Sequence, residues 1–149
     1  MGNPLIRKAL ETRLAAMPGV PTIVYENSNV SVGTGPYVVS NILFAEPDDV
    51  GFKDSPFIQR GYLQLTLHYP TNTGPGAAER MADNFRRWFA RSFSFSIVGA
   101  TVVVERTPEI TNGGVEDSRF VVRVFVRFRA TVEVDLTEIG TLPNQPQEW

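Results

Sequence analysis

The chain has 149 residues, the length of one ordinary domain and enough to bury roughly two thirds of the surface its unfolded form exposes. It has no cysteine and a single histidine, His68, which excludes disulfides, thiolate catalysis, Cys-based zinc sites and multi-histidine metal sites. Net charge is −2, which demands no nucleic-acid partner; of the 14 basic residues only Lys8 and Lys53 are lysine, and arginine is the cation favoured at interfaces.

The N-terminus, Met1-Gly2-Asn3-Pro4, lacks the charged-then-apolar order of a signal peptide. Ile6 stands where a myristoylation motif wants Ser or Thr. No stretch approaches the ~20 apolar residues that span a bilayer. These features predict a cytoplasmic protein with no membrane anchor. Asn3 suits a helix cap and Pro4 the first helical position. Ile6, Leu10, Leu14 and Met17 then recur at helical spacing, with Arg7 and Glu11 four apart, and Pro18-Gly19 stops the run. This predicts a helix over about 4–17.

Thr22 to Tyr25 reads as a short strand, and 26–35, rich in Asn, Ser, Gly and Thr, as a loop. Pro36 to Phe44 is a second strand, with Tyr37, Val39 and Leu43 on one side and Val38, Ile42 and Phe44 on the other. Ala45 to Pro56 is an acidic loop carrying Glu46, Asp48, Asp49 and Asp54. It has Gly51 but not the alternating oxygen ligands and closing Glu of a calcium loop, so it reads as a solvated loop or as a docking loop for a basic partner. Ile58 to Tyr69 is a third strand, with Leu63, Leu65, Leu67 and Tyr69 pointing one way and Tyr62, Gln64, Thr66 and His68 the other. Its neighbour in sequence is the second strand, which predicts a long antiparallel hairpin with 45–57 as the tip. His68 reads as an exposed or rim histidine, because no motif supplies partners for a base or a ligand.

A second helix is predicted over about 75–91, with Met81, Phe85, Trp88 and Phe89 as its apolar stripe. Gly74-Pro75-Gly76 before it lacks the lysine and spacing of a phosphate loop. Arg80, Arg86, Arg87 and Arg91 admit two readings: cations that stabilise the helix C-terminus and pair with Asp83, or an interface. Ile97 to Arg106 reads as a fourth strand, Thr111-Asn112-Gly113-Gly114 as a turn, and Ser118 to Val134 as a final strand long enough to require a bend, a bulge or a projecting end. Phe120, Val122, Val124, Val126, Phe128, Ala130 and Val132 form its core face. Arg119, Arg123, Arg127 and Arg129 share the other face with Val121 and Phe125. Three readings of that face stay open: a sheet surface in water, a surface meeting acidic side chains of a neighbouring subunit, or contact with nucleic acid. Residues 135–149 lose the alternation and predict an extended tail behind a single domain over 1–134.

Together these elements predict an α+β fold, a mostly antiparallel or mixed sheet with two helices packed on one face. The chain has no Walker loop, no G-x-G-x-x-G, no G-x-S-x-G and no H-E-x-x-H, and nothing in it calls for a cofactor or a metal. It reads as a non-enzyme.

Several phrases in order resemble the tail terminator, or tail completion, proteins of long-tailed bacteriophages. They are Ile6 to Leu14, Thr34-Gly35-Pro36-Tyr37-Val38, Arg60 to Leu65 leading to Tyr69-Pro70, Gly76-Ala77-Ala78-Glu79, Thr101 to Pro108, and Val121 to Arg129. The likeness covers about 4–134; the tail 135–149 departs from the pattern. The resemblance implies a virion structural protein in the tail or neck, assembled in the host cytoplasm. It further implies a homo-oligomeric, hexameric ring that caps the tail tube and meets the head–tail connector, with the genome passing through its lumen and no specific nucleic-acid binding. It carries no catalytic residues across. The residues themselves offer a possible complementary pair for such a ring: the arginines at 119, 123, 127, 129, 87 and 91, against Glu46, Asp48, Asp49 and Asp54. Another neck or head–tail completion role, or a nucleic-acid-binding module using the arginine face, are the alternatives.

Overall fold

The computed structural model describes residues 2–49, 57–71 and 74–132. In chain order the elements are α1 (Gly2–Ala15), β1 (Thr22–Tyr25), β2 (Tyr37–Phe44), β3 (Asp48–Asp49), β4 (Phe57–Pro70), α2 (Gly76–Trp88), β5 (Ser94–Ile97), β6 (Ala100–Val104), β7 (Glu109–Glu116) and β8 (Arg119–Val132). One mixed sheet runs β1-β2-β4-β8-β6-β5, with β3 paired to β4 and β7 to β8. The parallel pair is β1 with β2; the other pairings are antiparallel.

β8 organises the sheet. Its even-numbered residues from Phe120 to Val132 are all apolar, the period-two pattern of a strand with one face in the core. On one edge it meets β4 along all 14 residues, from Arg119↔Pro70 to Val132↔Phe57, with no change of register. An equally long partner, with no bulge between them, is what supports a strand of this length. The other edge is shared: Phe128 to Val132 pair with β6, and Arg119 to Phe125 pair with β7.

Both helices cover the same sheet face. Ile6, Leu10 and Leu14 of α1 and Ala78, Ala82 and Phe85 of α2 are fully buried, in one core with Leu63, Leu65 and Leu67 of β4 and the even-numbered residues of β8 from Val122 to Val132. α2 presents alanines where it lies on the sheet, which lets its backbone come close; Met81 and Trp88 of the expected stripe are only half-buried at its margin. The helices are clasped to each other. Arg13 lies 3.5 Å from the Trp88 ring centroid and 4.2 Å from that of Phe93. Its Nη2 donates to the Trp88 carbonyl at 3.0 Å, and Trp88 Nε1 donates back to the Arg13 carbonyl at 2.8 Å. Burial in this sandwich pulls the Arg13 pKa below its ordinary value.

Several expectations need correction. α1 begins at Gly2, so Asn3 lies inside its first turn instead of capping it. α2 ends at Trp88, because Phe89 (φ −105°, ψ 55°) leaves helical geometry to bury its ring, and Arg91 falls beyond the helix. The stretch expected as one strand over 97–106 holds the turn of the hairpin β5–β6 at Val98-Gly99, where Gly99 has φ 94°, and is strand only over Ala100–Val104 beyond it. Thr111-Asn112-Gly113-Gly114 is no turn. It lies within β7, where a register shift between Asn112 and Gly114 absorbs the flexible residues as a bulge against β8. The turn falls at Asp117-Ser118, both left-handed (φ 50° and 62°), the pattern of a two-residue hairpin loop matched to strand twist. The two arms of the expected long hairpin pair antiparallel as β2 and β4, from Tyr37↔His68 to Phe44↔Gly61. β3 interrupts their connection and pairs back onto β4; residues 50–56 of the tip, like the expected tail 135–149, lie outside the described residues.

Candidate functional site

The sheet face away from the helices carries the unusual chemistry. Register places its residues in rows across β2, β4, β8 and β7. Tyr37, His68 and Val121 form one row; Val39, Thr66, Arg123 and Thr111 the next. Asn41, Gln64, Phe125 and Glu109 follow, then Leu43, Tyr62 and Arg127. Arg60 and Arg129 close the series beside Val103 of β6.

Three of the four β8 arginines are engaged within the chain. Arg119 donates from Nη1 to the Gly35 carbonyl at 2.7 Å and from Nη2 to that of Gly33 at 2.9 Å, with its guanidinium 5.0 Å from the Tyr37 ring centroid. It thereby staples the loop that carries β1 into the parallel β2. Arg123 grips Glu116 bidentately, at 3.1 and 3.0 Å, and that hydrogen bonding holds the Glu116 carboxyl below its ordinary pKa. The fork closes over Gly113: a Cβ there would sit 2.7 Å from Arg123 Nη1 and 2.9 Å from Glu116 Oε2. Arg129 shares Glu105 with Arg60, at 3.8 and 3.5 Å. Arg127 is different. It is exposed, and its guanidinium has no partner among the described residues. It lines a shallow depression of about 220 Å³ with Tyr62, Phe125 and Glu109. Tyr62 and Phe125 meet there edge to face at 5.9 Å.

His68 is half-buried and stacks on Tyr37 with ring centroids 4.6 Å apart and planes 10° from parallel. Its Nδ1 is buried without a hydrogen-bond partner among the described residues. Burial first, then the positive charges of Arg119 and Arg123, push its pKa below the ordinary value. Among the described residues no group of three His, Asp or Glu side chains is placed to hold a metal ion, and no helix is long and apolar enough to cross a membrane.

The other expected site residues are scattered. Arg87 pairs with Asp83 at 3.0 Å on α2, over the opposite face of the sheet from the strand arginines, and Arg91 is exposed just past that helix. Glu46 is exposed, the backbone of Asp48 and Asp49 lies opposite Ile58 and Phe57, and Asp54 lies outside the described residues. The sequence reading missed Glu105, Glu109 and Glu116, the acidic neighbours of the arginine row. Glu109 and Glu116 lie on β7, a strand the sequence reading does not contain, and Glu105 follows the end of β6. Parity along β4 already placed Tyr62 and His68 on this side.

The fold and this face define the class: a rigid α+β platform whose polar chemistry lies on an open sheet surface. A family model described as phage tail terminator protein matches residues 5–128, which takes in all of α1 but its first three residues, all of α2, and runs into β8. The chain belongs to the phage tail terminator protein family, and so to the structural proteins of the phage tail. A solved structure with 22% sequence identity covers 91% of this chain and 98% of its own length at a TM-score of 0.69, and shares the fold. No curated protein matches the chain.

Proposed function

We propose that this chain is a tail terminator subunit whose copies join head to tail in a ring, six to the ring, that caps the tail tube and meets the head–tail connector. A ring of this kind needs two different, complementary patches on each copy. The observation that carries the reading is the charge of the helix-free face. It holds Arg60, Arg119, Arg123, Arg127 and Arg129 against Glu105, Glu109 and Glu116, on a chain of net charge −2. Even with Asp117 of the adjoining turn counted, this face is positive and everything else on the chain is net acidic. Glu46, Asp48, Asp49 and Asp54 are the acidic candidates for the facing patch. The reading places the subunit in the virion tail or neck, assembled in the host cytoplasm. Against a nucleic-acid role for the same face, Arg119, Arg123 and Arg129 are already held by protein groups, which leaves few cations for phosphates.

Native mass measurement and electron microscopy of the purified protein, alone and with its tail tube, test this. The expected result is a closed ring, formed alone or on the tube end. A strict monomer that ignores the tube would end the proposal.

A further inference from the structure

We infer that Arg127 is the anchor of the subunit contact, and that its guanidinium, beside the Tyr62–Phe125 pair, receives a carboxylate from a second copy of this chain. The inference rests on the ring reading above and names the residue and the ligand chemistry at its centre.

Occupancy singles this residue out. The four β8 arginines look equivalent on an alternating strand, but their neighbours are not. Arg119 is spent on two loop carbonyls, Arg123 on the two oxygens of Glu116, and Arg129 shares Glu105 with Arg60. Glu105 also fixes the strand at Arg127 itself, its backbone N–H donating to the Arg127 carbonyl at 2.9 Å, while its carboxylate serves the next row. Arg127 thus projects from a paired strand with its donors open among the described residues. Glu109, in the same depression, makes no ion pair with it.

The surroundings suit a protein partner. Arg127 lies in one row with Tyr62 and Leu43, the latter 44% exposed, and Phe125 packs against Tyr62. Aromatic residues and arginine are enriched among the few residues that dominate binding energy, and an apolar rim that excludes water strengthens an ion pair within it. The depression of about 220 Å³ admits the end of one side chain, not a drug-sized ligand. Charge complementarity selects the occupant: the face is net positive and the remaining residues of the sequence sum to a negative formal charge, so another copy can bring the carboxylate. Glu109 carries like charge and steers that carboxylate toward the Tyr62 and Leu43 side.

The test compares full-length wild type with Arg127→Ala, Arg127→Glu and Arg127→Lys by sedimentation velocity and by capping of purified tail tubes, with Arg123→Ala as control. Arg127→Ala should raise the concentration for half-assembly about tenfold or more, and Arg127→Glu should abolish assembly. Arg127→Lys should fall between, since it keeps the charge and loses the fork. Because Arg127 has no partner among the described residues, thermal unfolding of the unassembled variants should match wild type, whereas Arg123→Ala should disturb the fold more than the assembly. Rings of Arg127→Glu that form and cap normally would overturn the inference and leave the ring reading standing. Rings that form but no longer cap would overturn it too, by assigning Arg127 to the tube. A wild type that neither assembles nor caps would overturn the ring reading itself.

Discussion

The two faces of β8 grow from one backbone and share its ladder partners, but their side chains are satisfied in different ways. On the even-numbered face every residue from Val122 to Val132 is buried under the helices, apolar, and complete within the chain. On the odd-numbered face the side chains are held by discrete pairs, Arg119 with loop carbonyls, Arg123 with Glu116 and Arg129 with Glu105, and one is left open. Apolar burial scales with area and is insensitive to the identity of a partner, so it stabilises the fold. Charged pairs on an exposed surface contribute little to stability but impose geometry. A chain that concentrates folding energy on one face keeps the other free to be specific.

The sharpest way to break this contrast is a cut on the buried side. Phe128 is fully buried, and its ring meets Phe44 edge to face at 6.2 Å. Phe128→Ala should cost about 3–5 kcal/mol, read as a large fall in the urea midpoint. A loss of under ~1 kcal/mol would mean that this face is not close-packed. Next in size is Gly61, which lies between those two rings, opposite Phe44 on one side and Phe128 on the other. A Cβ there would sit 2.2 Å from the Leu43 carbonyl oxygen and 3.0 Å from the Phe128 ring. The backbone atom cannot swing aside as a flexible side chain would, so Gly61→Ala should cost about 1–3 kcal/mol in the same measurement. A neutral result would show slack between β2 and β4.

The buried face was legible because alternation with period two is a local signal, and β8 keeps an apolar residue at every even position from Phe120 to Val132. So were the two helices and the α+β class. What escaped was decided by pairing. Asn112-Gly113-Gly114 has turn chemistry, but β8 alongside holds it extended, and the left-handed pair Asp117-Ser118 turns the chain a few residues later. Gly113 is then needed for room beneath the Arg123–Glu116 fork, which no local pattern reveals. In the same way the four arginines were visible as a row, but which of them are taken depends on register. The assignment of Glu105 to Arg60 and Arg129 exists only once β4, β6 and β8 are side by side.

A cut on the exposed side should be smaller. Glu105→Ala removes the anion between Arg60 and Arg129 and leaves two like charges directly opposite each other across β4 and β8. Because these side chains are partly exposed, the expected loss is only about 0.2–1 kcal/mol, and it should shrink further in high salt. A loss comparable to that of Phe128→Ala would erase the division of labour between the faces.

The smallest effect, and the most selective, is the response of His68 to acid. Its folded pKa lies below the ordinary histidine value, chiefly through burial and then through Arg119 and Arg123. The unfolded chain therefore binds a proton more readily than the folded one, and stability rises with pH where their protonation differs. His68 should contribute its full stability above the ordinary value of about 6.5, lose it as pH falls from there to the depressed folded value, and lose no more below that. The side chain is only half-buried, which keeps the effect slight beside the core cuts. Urea midpoints measured from pH 8 to pH 5 should decline for wild type, and the part due to this residue should vanish in His68→Phe, which keeps a ring against Tyr37 and cannot take up a proton. If the two proteins decline in parallel, the stacked histidine is not the acid-sensitive group, and the exposed carboxylate pairs must carry the response.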